Sequence, residues 1–197
     1  MASDRKSHIL AAAQRLFQEN GLGRSTMEDV AKAAGMGKSS LYYYFKSQEE
    51  IFDAVLEVEI GEIIQETIRQ MSKQNGLVAK LNAFAIAKFE FTRKRKSLYR
   101  ATESSMDAEA LSRYQKLKMI VHLRYLQKES LLLQQLLISG GVDKEIKALN
   151  PDALEQAIFI FLAALRGMNR EIILYGNADE APDKLTSFCG IFLKGLT

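Results

Sequence analysis

The sequence predicts an all-α protein, and three observations carry that prediction. Only 2 of its 197 residues are proline, although turns between strands usually consume more. No segment alternates apolar and polar residues with the period of two that a half-buried strand requires, whereas apolar residues recur at helical spacing along most of the chain. Because 47% of the residues are hydrophobic, the helices can bury a substantial core.

Composition also limits the cell compartment and the class of function. The single cysteine, Cys189, excludes an intramolecular disulfide and a cysteine-based zinc cluster, and it suits a reducing compartment. The first ten residues, MASDRKSHIL, lack the apolar core of a signal peptide. The longest apolar run, Ala157 to Leu165, is too short to cross a membrane. We therefore expect a cytoplasmic protein with no membrane partner.

The small positive charge of the chain is concentrated near its N-terminus. Residues 1–46 contain seven Lys and Arg against four Asp and Glu, whereas the remainder contains twenty of each. A polyanionic partner, if there is one, should therefore meet the N-terminal end.

The first two helices are predicted from their end signals. Helical spacing of apolar residues runs from about residue 4 to 20, and Gly21 stands at the expected stop. Thr26 followed three residues later by Asp29 forms a capping box that opens a short second helix. Gly35 ends that helix.

Two more helices follow after a glycine turn. Residues 38–46 form a second short helix, and Ser47 with Glu50 is another capping box that starts a long helix to about Lys73. Two short helices joined by a glycine turn have the layout of a helix-turn-helix. An ordinary helical bundle with short loops has the same layout, so layout alone leaves both interpretations open.

The stretch KSSLYYYFK, residues 38–46, favours the DNA-binding interpretation. At about 100° of rotation per residue, Leu41 and Phe45 form one buried stripe, Tyr43 lies opposite it, and Tyr42 and Tyr44 flank it. This outward arc contains no acidic residue. Tyrosine offers a ring to a thymine methyl or a sugar and a hydroxyl to a phosphate, and lysine adds phosphate attraction. The alternative is that the flanking tyrosines pack inside and only Tyr43 is exposed.

The run TMEDVAKAAGMGKSSLYYYFKSQEE, residues 26–50, resembles the DNA-binding signature of tetracycline-repressor-like (TetR-family) regulators. The preceding ILAAAQRLFQENG resembles the first helix of that family, so the likeness covers roughly residues 8–56. One departure is Gly37, where the family usually has a Ser or Thr cap. Glycine is a weaker N-cap by a few tenths of a kcal/mol.

The resemblance implies a DNA-binding domain at residues 1–48 and a helical effector-binding and dimerisation domain at residues 49–197. It implies a homodimeric repressor that a small hydrophobic or amphipathic effector releases from a palindromic operator in double-stranded DNA. The alternatives are an effector-independent DNA-binding dimer or an activator. The DNA-binding residues that it implies are Thr26, Lys38, Ser39, Ser40, Tyr42, Tyr43, Tyr44 and Lys46.

Beyond residue 76 the chain is predicted to continue as helices. The segments are 77–96, ending in the basic run Arg93 to Lys96, then a short helix at 98–105 and a long one at 108–139. The basic run is interpreted as a solvated helix end, with a nucleic-acid patch as the alternative.

The last two helices are predicted to form the dimer interface. Asn150 and Pro151 are strong signals for the start of a helix that reaches about residue 175, and a final helix begins near Pro182. Residues 157–165 are apolar nearly all round, so that helix must be covered on more than one side. The resemblance implies a four-helix interface between two subunits, and packing within one chain is the alternative. The candidate interface residues are Ile158, Phe161, Leu165, Leu185, Phe188 and Phe192.

The candidate effector pocket consists of polar and aromatic residues on otherwise apolar helical faces. Lys88 could bind an anionic head group or extend to solvent, and His122 could be a ligand contact or a core residue. The sequence shows no catalytic constellation, phosphate loop or metal-spaced cluster, so we expect neither an enzyme nor a cofactor. The candidate pocket residues are Phe84, Lys88, Phe91, His122, Tyr125, Arg166 and Asn169.

Overall fold

A computed structural model describes residues 2–20, 25–103 and 108–197, and within these ranges the chain is helical with no strand. The all-α prediction is therefore confirmed. The helices are α1 (Ala2–Asn20), α2 (Met27–Ala33), α3 (Lys38–Tyr44), α4 (Gln48–Ser72), α5 (Leu77–Glu103), α6 (Ala108–Val142), α7 (Pro151–Tyr175) and α8 (Ala181–Lys194).

The chain divides into two compact units. The first unit contains residues 1–61 and 95–124, and the second contains residues 62–94 and 125–197. This grouping describes packing alone. The functional boundary between residues 48 and 49 therefore stays a prediction.

In the first unit, α1 to α4 share an apolar core. Leu41 and Phe45 are fully buried, as predicted for the anchoring stripe of α3. Phe17 of α1 meets Phe52 of α4 edge to face, with ring centroids 5.7 Å apart. Such a geometry is favourable for aromatic pairs, so it helps to fix α4 against the helix that begins the domain.

The turn between α2 and α3 depends on one glycine. Gly35 has φ +62°, in the left-handed region that is costly for residues with a Cβ. A Cβ there would meet no atom within 4 Å, so any cost of a side chain would come from the backbone alone.

Both predicted capping boxes are present, but the second differs in detail. At α4, Ser47 Oγ accepts from the backbone N of Glu50 at 3.2 Å. The Glu50 carboxylate accepts from the backbone N of Lys46 at 2.6 Å rather than from that of Ser47. The reciprocal bond is thus displaced by one residue towards the end of α3.

The core of the second unit lies among α5 to α8. Phe84 and Phe161 are buried at its centre, with ring centroids 6.1 Å apart. The predicted start of α7 is confirmed, because Asn150 Oδ1 accepts from the backbone N of Ala153 at 2.8 Å and Pro151 occupies the first turn. Such a side-chain cap supplies an acceptor for an otherwise unpaired N–H at the helix start.

The prediction that a helix ends at residue 96 is wrong. α5 continues without interruption to Glu103, so the basic run from Arg93 lies inside a helix. Residues 98–103 belong to the same helix, and residues 104 and 105 of the predicted short helix lie outside the described residues. No glycine or proline occurs between residues 77 and 103, so nothing in the sequence terminates the helix.

The prediction for the end of the chain missed a 3-10 turn. It spans Ala178–Glu180 and leads directly into α8. Among the helices that the structure describes, none is long and apolar enough to cross a membrane.

Candidate functional site

The outer surface of α3 is the candidate DNA-binding face. The helix begins after Gly37, whose backbone is extended and which offers no side-chain cap. Tyr43 is 81% exposed and Tyr42 is 41% exposed, while Tyr44 is half-buried. The alternative in which Tyr42 and Tyr44 both pack inside is therefore wrong for Tyr42.

The tyrosine rings support one another. The rings of Tyr43 and Tyr44 meet edge to face, with centroids 5.1 Å apart and planes at 84°. This contact limits the rotation of the more exposed ring, which lowers the entropy lost when it is immobilised against a partner. Ser39, Ser40 and Lys46 are also exposed.

Two acids lie against the ends of this face, Glu50 of α4 at the backbone N of Lys46 and one on the neighbouring helix α2. Glu28 of α2 approaches Lys38 Nζ at 3.6 Å, and both side chains are largely exposed. Exposed ion pairs of this kind are weak and are screened by salt. Lys38 can therefore exchange this carboxylate for a phosphate at little cost.

Thr26 has its hydroxyl engaged within the chain. Its Oγ1 donates to Asp29 Oδ2 at 2.7 Å and accepts from the Asp29 backbone N at 3.2 Å. The backbone N of Thr26 also donates to that carboxylate, at 2.9 Å. These bonds from Thr26 hold the pKa of Asp29 below its usual value. The single hydroxyl proton is therefore not free for a phosphate unless the capping box rearranges.

Lys6 is a cation near the end of α3 that the sequence analysis missed. Its Nζ lies 5.2 Å from the centre of the Phe45 ring, which brings a cation from α1 to the carboxyl end of α3. The two residues are 39 positions apart, so no local spacing could have revealed the contact. The basic excess of residues 1–46 was the only signal that pointed towards it.

The second unit contains a buried ion pair. Lys88 Nζ binds Glu129 Oε1, and the side chains are only 7% and 2% exposed. The Lys88 ammonium also lies 4.7 Å from the centre of the Tyr125 ring. The alternative in which Lys88 extends to solvent is therefore wrong, because its stem and head are both enclosed.

The charge of Lys88 is held at a cost. Burial lowers the pKa of Lys88 below its ordinary value, Glu129 opposes that shift, and the positive charge of Arg166 adds to it. Glu129 accepts a hydrogen bond from Lys88 through its Oε1 atom.

Two polar groups on α7 are buried without a partner. Asn169 is 1% exposed, and neither its Oδ1 nor its Nδ2 has a hydrogen bond. Nη1 of Arg166, one turn earlier, is likewise buried and unpaired. Buried groups of this kind are uncommon and costly in folded proteins.

A cavity of about 760 Å³ lies between α6 and α7. Its size falls within the range of small-molecule sites. Arg166 lines one end, and Glu155 lies near the other. The wall between them is mainly aliphatic, and its apolar residues are Leu126, Leu131, Ile138, Leu149, Pro151, Leu154, Ile158, Phe159 and Leu162.

Of the predicted pocket residues, Arg166 alone lines this cavity. Phe84 is part of the core, Phe91 is half-buried, and His122 is exposed and belongs to the first unit. The polar wall residues Ser130 and Gln134 were not predicted. They stand on either side of the apolar run 131–133 of α6, among other polar residues, so their spacing resembled that of an ordinary solvated face.

The predicted interface residues are mostly occupied within the chain itself. Phe161, Leu165 and Leu185 are fully buried in the core of the second unit, which leaves them no surface for a partner. The rings of Phe188 and Phe192 pack on Phe161 at 5.1 and 4.9 Å. Ile158 is also buried.

The interface prediction chose the inward face of α7. That helix is apolar nearly all round, so its periodicity did not show which side faces the core. The large apolar residues that α7 and α8 expose are Phe159, Ile160, Tyr175 and Ile191.

These features define a class of protein. A glycine turn joins two short helices, and the second presents an acid-free arc of tyrosine, serine and lysine. This is the arrangement of a helix-turn-helix domain, and the same chain carries a second helical unit that contains a cavity.

Comparison with known proteins identifies the family of the N-terminal domain. Residues 9–55 match the family described as bacterial regulatory proteins, tetR family. The match is confined to these residues, and over them it confirms the resemblance seen in the sequence.

Two curated relatives match the same region. A stretch of 71 residues is 39% identical to the uncharacterized HTH-type transcriptional regulator YhgD of Bacillus subtilis, covering 36% of this chain and 37% of that protein. A stretch of 54 residues is 43% identical to the HTH-type transcriptional repressor KstR2 of Rhodococcus jostii, covering 27% of this chain and 26% of that protein. The matches thus span little more than a third of the length of these relatives at most.

A solved structure resembles the whole chain. The transcriptional regulator FadR from Bacillus subtilis, in complex with stearoyl-CoA, superimposes with a TM-score of 0.64 over 97% of this chain and 99% of that chain, at 18% identity. At that identity the likeness establishes the fold alone.

Proposed function

We propose that the protein is a cytoplasmic, homodimeric transcriptional repressor that binds a palindromic operator through α3 and releases it when a small amphipathic effector binds the second unit. The exposed, acid-free tyrosine arc of α3 is the observation that carries this proposal. The family match supports DNA binding, and KstR2 is named as a repressor.

In this proposal Tyr43 reads base edges, and Lys38, Tyr44 and Lys46 bind phosphates. Two copies of α3 would enter successive major grooves, about 34–36 Å apart, as in other dimeric helix-turn-helix proteins. A footprint on the DNA beside its own gene would supply the operator.

The test of the reading face compares two side chains of similar exposure. Tyr43→Ala should weaken operator binding at least tenfold, about 1.4 kcal/mol, and relax sequence preference. Val142→Ala shortens a side chain at the end of α6 that is 75% exposed, and it should leave operator affinity unchanged. If Tyr43→Ala bound the operator with unchanged affinity, the proposal that this face of α3 reads DNA would be refuted.

Phosphate contacts have a different signature from base contacts. Lys46→Ala should weaken specific and non-specific DNA binding to the same degree and lower the salt slope of binding by about one. A slope equal to that of the unmodified protein would show that Lys46 does not contact DNA phosphate.

The proposed dimer uses the exposed apolar side chains of α7 and α8. Ile191→Glu places a charge on that face and should raise the dimer dissociation constant, as measured by sedimentation equilibrium. Thr186→Glu adds the same charge at an exposed position about 140° around the same helix and serves as the matched control. Equal dissociation constants for the two variants would place the dimer contact elsewhere.

For an effector to release DNA, it must bind the DNA-incompetent state more tightly than the competent one. The Bacillus subtilis FadR structure contains stearoyl-CoA, so that compound is a reasonable first probe for release from the operator. The alternative is an effector-independent DNA-binding dimer. The unpaired polar atoms of α7 favour the responsive version.

A further inference from the structure

We infer that the cavity between α6 and α7 binds a single-headed amphipathic anion, an alkyl carboxylate whose head meets Arg166 and whose chain lies along the aliphatic wall. This rests on the proposed function, because it names the chemical class of the effector. The site differs from the set of pocket residues that the sequence suggested, of which only Arg166 remains.

The first step of the argument is charge. Of the described residues that line the cavity, only Arg166 and Glu155 are charged, and they stand at opposite ends. Eleven residues of helix separate them, which is about 16 Å along the axis. An anionic head is attracted to one end and repelled from the other, so the orientation of a linear ligand is fixed.

The second step is unused hydrogen-bonding capacity. Nη1 of Arg166, a residue that lines the cavity, is buried and unpaired. It is a charged donor, which suits an oxygen of a carboxylate. The buried carboxylate of Glu129 is bound to Lys88 through Oε1.

The third step is the shape and chemistry of the wall. From Arg166 towards Pro151 the α7 side presents Leu162, Ile158 and Leu154, spaced at helical intervals on one stripe. The α6 side adds Leu126, Leu131 and Ile138, together with the polar residues Gln127, Ser130 and Gln134. A linear alkyl chain can bury its methylenes along such a stripe, whereas a compact polar ligand would leave most of it unfilled.

A single arginine also distinguishes between two sources of alkyl chains. A free alkyl carboxylate has one negative group, which matches the one cation at the head end. A coenzyme A thioester has a neutral carbonyl at the head of its chain and places its several phosphates further away. The described residues around the cavity offer no second cation for those phosphates.

The test is direct binding to the full-length protein without DNA. Isothermal titration with octanoate, decanoate and laurate should give saturable binding that tightens about fourfold per added methylene, equivalent to about 0.8 kcal/mol. Arg166→Gln should weaken laurate binding between about tenfold and a hundredfold. Arg170→Gln, an exposed arginine one turn along the same helix, should bind laurate like the unmodified protein.

Folding of the variant can be separated from the loss of binding. Because Nη1 of Arg166 has no partner, the melting temperature of ligand-free Arg166→Gln should equal or exceed that of the unmodified protein. Leu154→Phe narrows the far end of the cavity and should reduce the affinity for laurate while leaving that for octanoate unchanged. This second variant tests the position of the chain without altering the head site.

Several results would overturn the inference. These are the absence of saturable laurate binding, equal binding by Arg166→Gln, and equally tight binding of methyl laurate, which lacks the charge. Lauroyl-CoA that binds more tightly than laurate and independently of Arg166 would also overturn it, in favour of a thioester ligand. Laurate binding confined to the dissociated Ile191→Glu protein would overturn it too, because a second copy of the chain would then fill the cavity.

The inference and the proposed function can fail separately. Laurate binding that needs Arg166 but leaves operator affinity unchanged would retain the site and refute effector release. If stearoyl-CoA releases the protein from its operator but laurate does not bind, the proposed regulatory function would stand and the proposed laurate site would be refuted.

Discussion

The buried Lys88–Glu129 pair makes a quantitative prediction about stability. Lys88→Met leaves Glu129, which is 2% exposed, without its partner, and Glu129→Leu does the same to Lys88, which is 7% exposed. Removing one partner of a buried pair costs about 3–5 kcal/mol, because an uncompensated charge remains inside. For a domain of this size that corresponds to a decrease of roughly 6–20 °C in melting temperature.

The double variant provides the contrast. Lys88→Met with Glu129→Leu replaces both charges by apolar groups of similar size and should be near neutral, or even stabilising by about 1–4 kcal/mol. Arg93→Met, which removes an exposed pair with Glu90 at 2.9 Å, should cost only about 0.5 kcal/mol. This exposed pair is the matched control for the loss of an ion pair on α5.

The sign of the pH dependence follows from the lowered pKa of Lys88. Burial lowers that pKa from the usual 10.5, and Glu129 opposes the shift, so the removal of Glu129 lowers the pKa further. Between the lowered pKa and 10.5 the unfolded chain binds more protons than the folded one. The Glu129→Leu protein should therefore gain stability as the pH rises through this window and lose it as the pH falls.

The assay is urea unfolding followed by circular dichroism, because the chain contains no tryptophan. Thermal unfolding at about pH 7 and about pH 9.5, the second below the usual pKa of lysine, gives the pH effect. Two results would refute the view that these charges are buried and coupled. One is a loss of unfolding free energy in the double variant that equals the sum of the two single losses, and the other is single losses no larger than that of Arg93→Met.

The remaining predictions concern the helix-turn-helix and the single thiol. Thr26→Ala removes the α2 cap and should cost about 1 kcal/mol at neutral pH, measured by urea unfolding. The bonds from Thr26 lower the pKa of Asp29, so the stability that the capping box gives is present at neutral pH and is lost as the pH falls through that lowered pKa. The difference in unfolding free energy between Thr26→Ala and the unmodified protein should therefore shrink in acid. A difference that stays constant would contradict this. Gly35→Ala should lower the unfolding free energy by about 1–2 kcal/mol, because φ of Gly35 is +62°. Gly61 lies inside α4, and a Cβ there would meet no atom within 4 Å, so Gly61→Ala should raise the unfolding free energy by about 0.5–1 kcal/mol. Changes of the same sign in the two variants would refute the backbone explanation. Cys189 is fully buried and burial raises the pKa of its thiol to about 12, so its reaction with a thiol reagent should follow global unfolding, and rapid labelling of the native protein would disprove this.

Local signals in the sequence were sufficient for much of the first unit. The two capping boxes, the glycine turn and the opposition of Leu41 and Tyr43 on α3 depend on short spacings along the chain, and the structure contains all of them. The start of α7 at Asn150 was predictable for the same reason. Short-range hydrogen bonds and helical rotation determine such features, and the sequence encodes both directly.

Features that depend on distant residues were not predictable in this way. Lys6 reaches Phe45 across 39 positions, and Glu129 lies 41 positions from Lys88. Lys88 was recognisable as unusual from its spacing, but nothing local identified its partner. The same holds for Arg166 and Asn169, whose unpaired polar atoms become visible only when the helices are packed.

Local patterns alone were enough to establish that the chain is helical, that a helix-turn-helix lies near its N-terminus, and which side of α3 is exposed. Which face of α7 is buried depended on tertiary packing, because the sequence of a helix that is apolar nearly all round does not show which side faces the core. That packing enclosed Phe161 and Leu165 and exposed Phe159 and Ile160. It also brought Arg166 to the end of an aliphatic cavity, where its Nη1 is left without a hydrogen bond.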